Sequence, residues 1–296
     1  MNLGLLFFGL GACWASPEER RVLELGDSRV EVVVEAGELG VSRDALFGWI
    51  EDQSRAVGVY FGAFPVERAR IRITPGKGRG TRGGVMYPGP EPLVVLGVGA
   101  DCTEATLRQS WVLTHELTHL ALSDQVDAHQ WLEEGMATYV EPWVRVKQGQ
   151  IPHTQVWREL VEGLPNGLPG PGDQGLDQTH TWGRTYWGGA LFFFLADLEI
   201  RRRSNQEKGI RDALMGITSA GLNATTSVPI EQVLAAGDAA VGHPVLTELY
   251  ATMGGDPHPV DLDALWTDLG VEVRRGEVHF DDAARRSATR RAMSSL

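Results

Sequence analysis

Residues 115–119, HELTH, place two histidines four positions apart, with a glutamate directly after the first. The apolar residues around them recur with helical spacing, and residues four apart on a helix lie on one face. His115 and His119 can therefore offer two imidazole nitrogens to one metal ion. Glu116 lies about 100° further round the helix, where it can reach a water molecule beside that ion. The stretch predicts a metal site rather than a solvated helix face.

A third ligand is available in residues 131–141, WLEEGMATYVE, which follow HELTH closely. Together the two stretches resemble the gluzincin metallopeptidases, most of all the aminopeptidase-N-like and glycyl-aminopeptidase-like branches. In those families the glutamate of WLxEG is the third zinc ligand, and that position is Glu134 here. The resemblance implies one zinc ion per chain, held by His115, His119 and Glu134, the ligand set of many hydrolytic zinc sites. It also implies Glu116 as the general base.

Residues 185–201, TYWGGALFFFLADLEIR, extend the resemblance. They are similar to a helix of the same families whose tyrosine donates a hydrogen bond to the oxyanion. Tyr186 holds that place, whereas Gly188 stands where the families have a lysine. The resemblance covers residues 100–205 and implies that Tyr186 stabilises the charge that develops on the substrate carbonyl.

Four further residues are candidates for roles around the metal. Thr138 and Glu141 follow Glu134 by one and two helical turns, so we predict that they orient the ligands or contact the substrate. His180 and Arg184 lie upstream of the predicted oxyanion donor and are predicted substrate contacts. For His180 and Arg184 the alternative is a solvated or structural role.

One departure from the families concerns the substrate amine. Their aminopeptidases carry a glutamate, in a GxMEN or GGLEH strand, that binds the free amino group. Residues 83–88, GGVMYP, stand at that place and offer Met86 but no glutamate. An ammonium group taken out of water without a carboxylate partner is costly. We therefore expect an endopeptidase, or another amide hydrolase, rather than an aminopeptidase.

The N-terminal part of the chain, residues 22–100, is predicted to be rich in β-structure. Runs of alternating or continuous apolar residues predict three strands there; these are Val30–Val34, Ala69–Thr74 and Leu93–Val98. A helix is predicted over Ser42–Val57. The glycine-rich, basic stretch Gly76–Gly84 is predicted to be a loop.

From residue 101 the period is helical, which predicts a mostly helical catalytic subdomain over 101–270. Its first helix is predicted from Asp101 to Leu122 and carries HELTH. Later helices are predicted over Gln130–Val146, Thr154–Val161 and Tyr186–Arg203, with three shorter ones before Met253. Residues 271–296 are predicted to form a hairpin over Val271–Phe280 and a tail. The expected class is α+β, and the resemblance implies a zincin-like catalytic unit with the active site between the β-rich and helical parts.

Composition limits the classes of function. The chain has 296 residues, 43% hydrophobic and 22% charged, and is long enough to bury a core without a metal or disulfide. Its net charge of −12 argues against a nucleic-acid partner, because clustered Lys and Arg hold a phosphate backbone. The expected partner is a peptide or protein substrate. The longest apolar run after the N-terminus, Ala190–Ala196, is too short for a transmembrane helix.

Residues 1–15, MNLGLLFFGLGACWA, are predicted to be an export signal, because an apolar run over Leu3–Leu10 precedes small residues. Cleavage after Ala15 would release a soluble protein. Processing as a lipoprotein would instead leave a lipid anchor at Cys13. Both routes place the protein in a bacterial cell envelope or outside the cell; the alternative is an apolar start of a cytosolic protein.

Three functions stay open on the sequence alone. The first is a zinc metallopeptidase. The others are a non-peptidase zinc hydrolase on the same scaffold and a non-catalytic, zinc-binding scaffold protein of the cell envelope. Glu116 and Tyr186 favour the two hydrolases, because a structural zinc site needs neither residue.

Overall fold

The structure is a computed structural model and describes residues 16–295. The predicted export signal, including Cys13, lies outside the described residues, so export and lipidation stay predictions. The division into subdomains at 22–100, 101–270 and 271–296 also stays a prediction. Between residues 16 and 295, no helix combines the length and the apolar character that crossing a bilayer requires.

A five-stranded mixed sheet forms the N-terminal part, with the strand order β1-β2-β3-β5-β4. The strands are β1 (Glu19–Leu25), β2 (Ser28–Val34), β3 (Arg68–Gly76), β4 (Thr81–Tyr87) and β5 (Leu93–Gly99). The three central strands are parallel and correspond to the three that the sequence predicts. β1 and β4 are antiparallel edge strands that the sequence did not predict.

The prediction of a loop over Gly76–Gly84 is wrong at both ends of that range. β3 continues to Gly76, and β4 begins at Thr81, so only a short turn separates two strands that both pair with β5. Most side chains of β4 are exposed or half-buried. Its conformation comes from backbone hydrogen bonds to β5, which leave little trace in hydrophobic periodicity.

The helix α1 (Arg43–Phe61) connects the parallel strands β2 and β3. The Ser42 hydroxyl caps its first turn by accepting a hydrogen bond from the backbone N–H of Ala45 at 3.1 Å. Its apolar face, including Leu46, Ile50 and Val57, is fully buried. The predicted helix is confirmed and runs one turn further than expected.

Helices form most of the remaining chain. They are α2 (Glu104–Gln109), α3 (Val112–His119), α4 (Gln130–Lys147), α5 (His153–Gly163), α6 (Gly189–Arg203), α7 (Ile210–Ser219), α8 (Ile230–Val241), α9 (Val245–Met253), α10 (Leu262–Leu269) and α11 (Ser287–Ser294). A hairpin of β6 (Val271–Arg274) and β7 (Glu277–Phe280) lies between the last two, as predicted. The predicted α+β class is confirmed.

The single helix predicted over Asp101–Leu122 is in fact two helices, α2 and α3. Ser110 separates them with an extended backbone, at φ −70° and ψ 132°. Its hydroxyl lies 3.4 Å from the backbone N–H of Val112 and 2.6 Å from the Thr81 hydroxyl of β4. Serine side chains offer such bonds in competition with the helix backbone, which explains the break. α3 also ends at His119, earlier than predicted.

A buried polar cluster fixes three helices against one another. Asp197 of α6 is 1% exposed and accepts three hydrogen bonds, each of 2.9 Å. The donors are the Tyr139 hydroxyl of α4, the Arg201 guanidinium of α6 and the backbone N–H of Ile210 in α7. The cluster holds α4 and α6 together, and these helices carry or adjoin the candidate site.

Candidate metal and active site

Three predicted ligands come together where α3 faces α4. The Glu134 Oε2 atom lies 3.3 Å from Nε2 of His115 and 3.6 Å from Nε2 of His119. The three ligand atoms are all within 4.8 Å of one another, and within residues 16–295 no second group of this kind occurs. The structure thus brings His115, His119 and Glu134 together, and their role as ligands stays a prediction.

The chemistry of this donor set fits a zinc ion. Burial alone raises the pKa of Glu134, but the hydrogen bond with His115 and the closeness of both imidazoles lower it to about 2. Glu134 is therefore a carboxylate at neutral pH. Two imidazole nitrogens and one carboxylate, all turned inward, are typical of a hydrolytic zinc site with an open position.

Glu116 lies beside the triad and lines a cavity of about 570 Å³ that we call the metal cavity. Its side chain is only 8% exposed, and this burial raises the pKa of Glu116 above the usual value for a carboxyl. The neighbouring His119 and the backbone of Met86 in β4 offset this rise of the pKa only in part. Burial of a carboxylate in this way makes it a stronger base.

Gly84 of β4 is what allows the strand to pass so close to Glu116. A methyl group at Gly84 would overlap the Glu116 side chain and lie 2.8 Å from its Oε1 atom. Any larger residue at this position would therefore displace the carboxylate. The unpredicted strand β4 thus forms one wall of the metal cavity and fixes the predicted base.

A contact between two glycines brings the tyrosine to the triad. A methyl group at Gly135 would overlap the backbone of Gly189, and one at Gly189 would overlap the Trp131 carbonyl. α4 and the first turn of α6 can therefore approach at backbone distance. This contact explains why WLEEG and YWGGA both contain glycine.

Tyr186 lies in the segment directly before this contact, Gly183–Gly188, which is π-helical rather than the start of an α-helix. π-Helical segments are rare in proteins, and those that do occur often lie at functional sites. Burial and the nearby Glu134 carboxylate raise the pKa of Tyr186 to about 12. Its phenol is therefore protonated at neutral pH and can donate a hydrogen bond into the metal cavity, which it lines.

None of the four weaker candidates lines the metal cavity. Glu141 accepts a hydrogen bond from Arg145 at 3.1 Å, and with Thr138 it lines a second cavity next to the metal cavity. Among residues 16–295 no hydrogen bond joins Thr138 or Glu141 to a ligand histidine, and Glu134 lines the metal cavity but not this second one. His180 is exposed and lines neither cavity.

Arg184, a predicted substrate contact, is placed in a way that fits the structural alternative that the sequence left open. Its side chain is 4% exposed and donates a hydrogen bond to the Gly167 carbonyl. Asp173 lies 3.8 Å from its Nε atom. Arg184 therefore ties the loop after α5 to the π-helical turn and lines neither cavity.

Several residues that support α4 were missed from the sequence. The Trp131 indole donates a hydrogen bond of 2.8 Å to Asp177, and the Tyr250 hydroxyl donates one of 2.9 Å to the same carboxylate. Glu133 accepts a hydrogen bond of 2.5 Å from the backbone N–H of Gln125. These partners come from distant segments or loops, and no local pattern marks them.

Comparison with known proteins supports this fold. No protein-family model and no curated protein matches the chain. Among solved structures, it is similar to the M1 zinc metallopeptidase from Deinococcus radiodurans, with 20% identity, a TM-score of 0.53, and coverage of 82% of this chain and 55% of that one. It is also similar to an aminopeptidase N family protein from Idiomarina loihiensis, with 13% identity, a TM-score of 0.63, and coverage of 87% and 50%.

A third similar structure is a variant of the Deinococcus radiodurans protein bound to a Tyr-Ser-Ala substrate, with 19% identity, a TM-score of 0.52, and coverage of 82% and 54%. The chain spans about half the length of these proteins. The likeness confirms, at the level of fold, the resemblance to aminopeptidase-N-like zinc peptidases.

Proposed function

We propose that the protein is a zinc-dependent hydrolase of peptide bonds. The observation that carries this proposal is the convergence of His115, His119 and Glu134 on the wall of one cavity, which Glu116 and Tyr186 also line. When bound there, a zinc ion polarises the substrate carbonyl and makes water more acidic. A purely structural site would need neither a buried base nor a phenol beside it.

Within this proposal Glu116 moves the proton. Its carboxylate takes a proton from the attacking water and later gives it to the leaving amine. Both transfers use the same side chain, which packs against Gly84 of β4 beside the triad. Tyr186 approaches from the π-helical segment before α6 and donates its hydroxyl proton in a hydrogen bond to the carbonyl oxygen as negative charge develops there.

The edge strand β4 supports a peptide as the substrate. Residues 83–86 of β4 line the metal cavity, and β4 is the outermost strand of its sheet. An edge strand has backbone groups without a strand partner, and these can hold an extended peptide by main-chain hydrogen bonds. A related protein with this fold has been solved with a tripeptide substrate.

The direct test is a screen of the zinc-loaded protein against a mixed peptide library, with products identified by mass spectrometry. We expect cleavage that depends on zinc. If no peptide is cleaved although each chain holds zinc, peptide hydrolysis is contradicted. Cleavage of non-peptide amides alone would favour the non-peptidase alternative.

Replacing Tyr186 by phenylalanine is expected to lower kcat on the order of 10²–10³-fold, because one oxyanion donor is lost. The ring is kept, so its stacking on Trp182, at 6.2 Å between centroids, is preserved. Zinc content and thermal unfolding should match the wild type. A Tyr186→Phe variant with unchanged kcat would remove this residue from the mechanism.

Blocking the substrate amine is expected to change hydrolysis little. Met86 stands on β4 where the resembling aminopeptidases have a glutamate, so that strand offers no carboxylate for an ammonium group. The measurement compares kcat/KM for a peptide and its N-acetylated twin. A loss of 100-fold or more, on the order of one buried charged contact, would show that another carboxylate binds the amine. Asp124 and Asp127 line the metal cavity and would then be the groups to replace.

A further inference from the structure

Two exposed tryptophans flank the second cavity, the one lined by Thr138 and Glu141. Trp111 is 50% exposed and Trp182 is 63% exposed. Every other tryptophan among residues 16–295 is buried or half-buried. Large exposed aromatic rings are unfavourable on a free surface, and two of them at one opening indicate a binding site. We call this cavity the tryptophan pocket.

The tryptophan pocket opens beside the reacting atoms. Its volume is about 360 Å³, near the lower end of the range for ligand sites. It shares three lining residues with the metal cavity, namely Trp111, His115 and Tyr186. A substrate whose carbonyl lies at the triad can therefore place a neighbouring side chain in the pocket. The volume is enough for one large side chain.

The walls of the tryptophan pocket are mostly apolar or aromatic, with Val156, Leu160 and Trp187 behind the two exposed rings. The charged side chains that line it already have hydrogen-bond partners within the protein. Glu141 pairs with Arg145 at 3.1 Å. Arg145 also donates to Gln150 and to the Gln109 carbonyl, each at 3.2 Å.

Glu159, the remaining carboxylate of the pocket, accepts a hydrogen bond of 2.8 Å from Gln155. It is half-buried, so water also reaches it. Each carboxylate of the tryptophan pocket therefore has a hydrogen-bond partner within the protein. An apolar occupant leaves these carboxylates paired, whereas a basic side chain would have to compete for them.

From this arrangement we propose that the tryptophan pocket receives a large apolar side chain, above all an aromatic one, from a residue that adjoins the scissile bond. This inference rests on the proposed peptide hydrolysis. A substrate ring placed between Trp111 and Trp182 can pack against them in offset or edge-to-face geometry. Such packing would select an aromatic ring over an aliphatic chain of similar area.

The first test uses peptides that differ only at the residue next to the cleaved bond, as Phe, Ala or Lys. We expect kcat/KM for Phe to exceed that for Ala by about 10- to 100-fold, from burial of the ring. Trp182→Ala should reduce this Phe/Ala ratio by about 3- to 10-fold, the contribution of one aromatic pair. The ratio cancels any general effect that the substitution has on Tyr186.

Controls separate recognition from structure. Val59→Ala removes another exposed apolar side chain, on α1 and outside both cavities, and should leave the ratio unchanged. An equal loss for Phe and Ala peptides in Trp182→Ala would overturn the proposal. So would a preference for Lys that Glu159→Gln removes.

A binding measurement keeps this inference separate from the hydrolase proposal. The probe is N-acetyl-4-fluorophenylalanine amide, added to the zinc-loaded protein and followed by ¹⁹F NMR. We expect binding that weakens in Trp182→Ala but not in Val59→Ala. If this holds without any peptide cleavage, the pocket assignment stands and the hydrolase proposal fails. If peptides are cleaved but the probe binds both variants equally, the pocket assignment fails alone.

Discussion

Replacing Glu116 by glutamine is expected to abolish peptide hydrolysis and leave both the zinc and the fold in place. The amide has nearly the same size as the carboxylate and fits the same space under Gly84. It cannot accept a proton from water, so the loss in kcat should be on the order of 10²–10⁴-fold. The measurement is the turnover of a fluorogenic peptide found in the library screen, together with the zinc content and the thermal unfolding midpoint.

The matched control for this variant is Glu51→Gln, the same chemical change at an exposed ion pair with Arg55 on α1. It should keep wild-type turnover, because exposed pairs contribute little and this one is remote from both cavities. Wild-type turnover in the Glu116→Gln variant would assign the base to another residue. Loss of zinc in that variant would instead make Glu116 a support of the metal site.

The candidate site could be predicted from the sequence because its central residues are linked by local geometry. The spacing of His115 and His119 is a helical spacing, and α3 does form there. Glu134 was identified only through its resemblance to a known pattern. The glycine contact that brings its helix to Tyr186 depends on two segments far apart in sequence, and hydrophobic periodicity carries no sign of it.

The features that could not be predicted depend on pairing between strands far apart in sequence and on which hydrogen-bond partner a single polar group finds. β4 was missed because an edge strand with exposed side chains lacks an apolar pattern, although it forms a wall of the metal cavity. Arg184 was predicted to contact the substrate. In the structure its guanidinium is buried and donates a hydrogen bond to the Gly167 carbonyl. Sequence gives the charge of such a residue but not the acceptor that it finds in the fold.

Replacing His119 and Glu134 together by alanine is expected to remove zinc binding. Wild-type protein, dialysed after zinc loading, should hold close to one zinc ion per chain, and the double variant should hold almost none. Only one of the three converging side chains, His115, would remain, and a single imidazole does not form a hydrolytic zinc site. The measurement is elemental analysis of the dialysed proteins, together with the peptide turnover, which should fall to background.

A thermal unfolding series makes the same point without relying on activity. An ion that binds only the folded state adds about 4 kcal/mol of stability at a free concentration of about 1,000 times its Kd. Zinc should therefore raise the unfolding midpoint of metal-free wild-type protein and leave that of the double variant unchanged. The control is the pair Glu272→Ala and His279→Ala, a glutamate and a histidine that face each other across the β6–β7 hairpin. That control should still respond to zinc like the wild type, because its substitutions lie outside the triad. If the double variant responds equally, zinc is bound elsewhere and the triad is not the metal site.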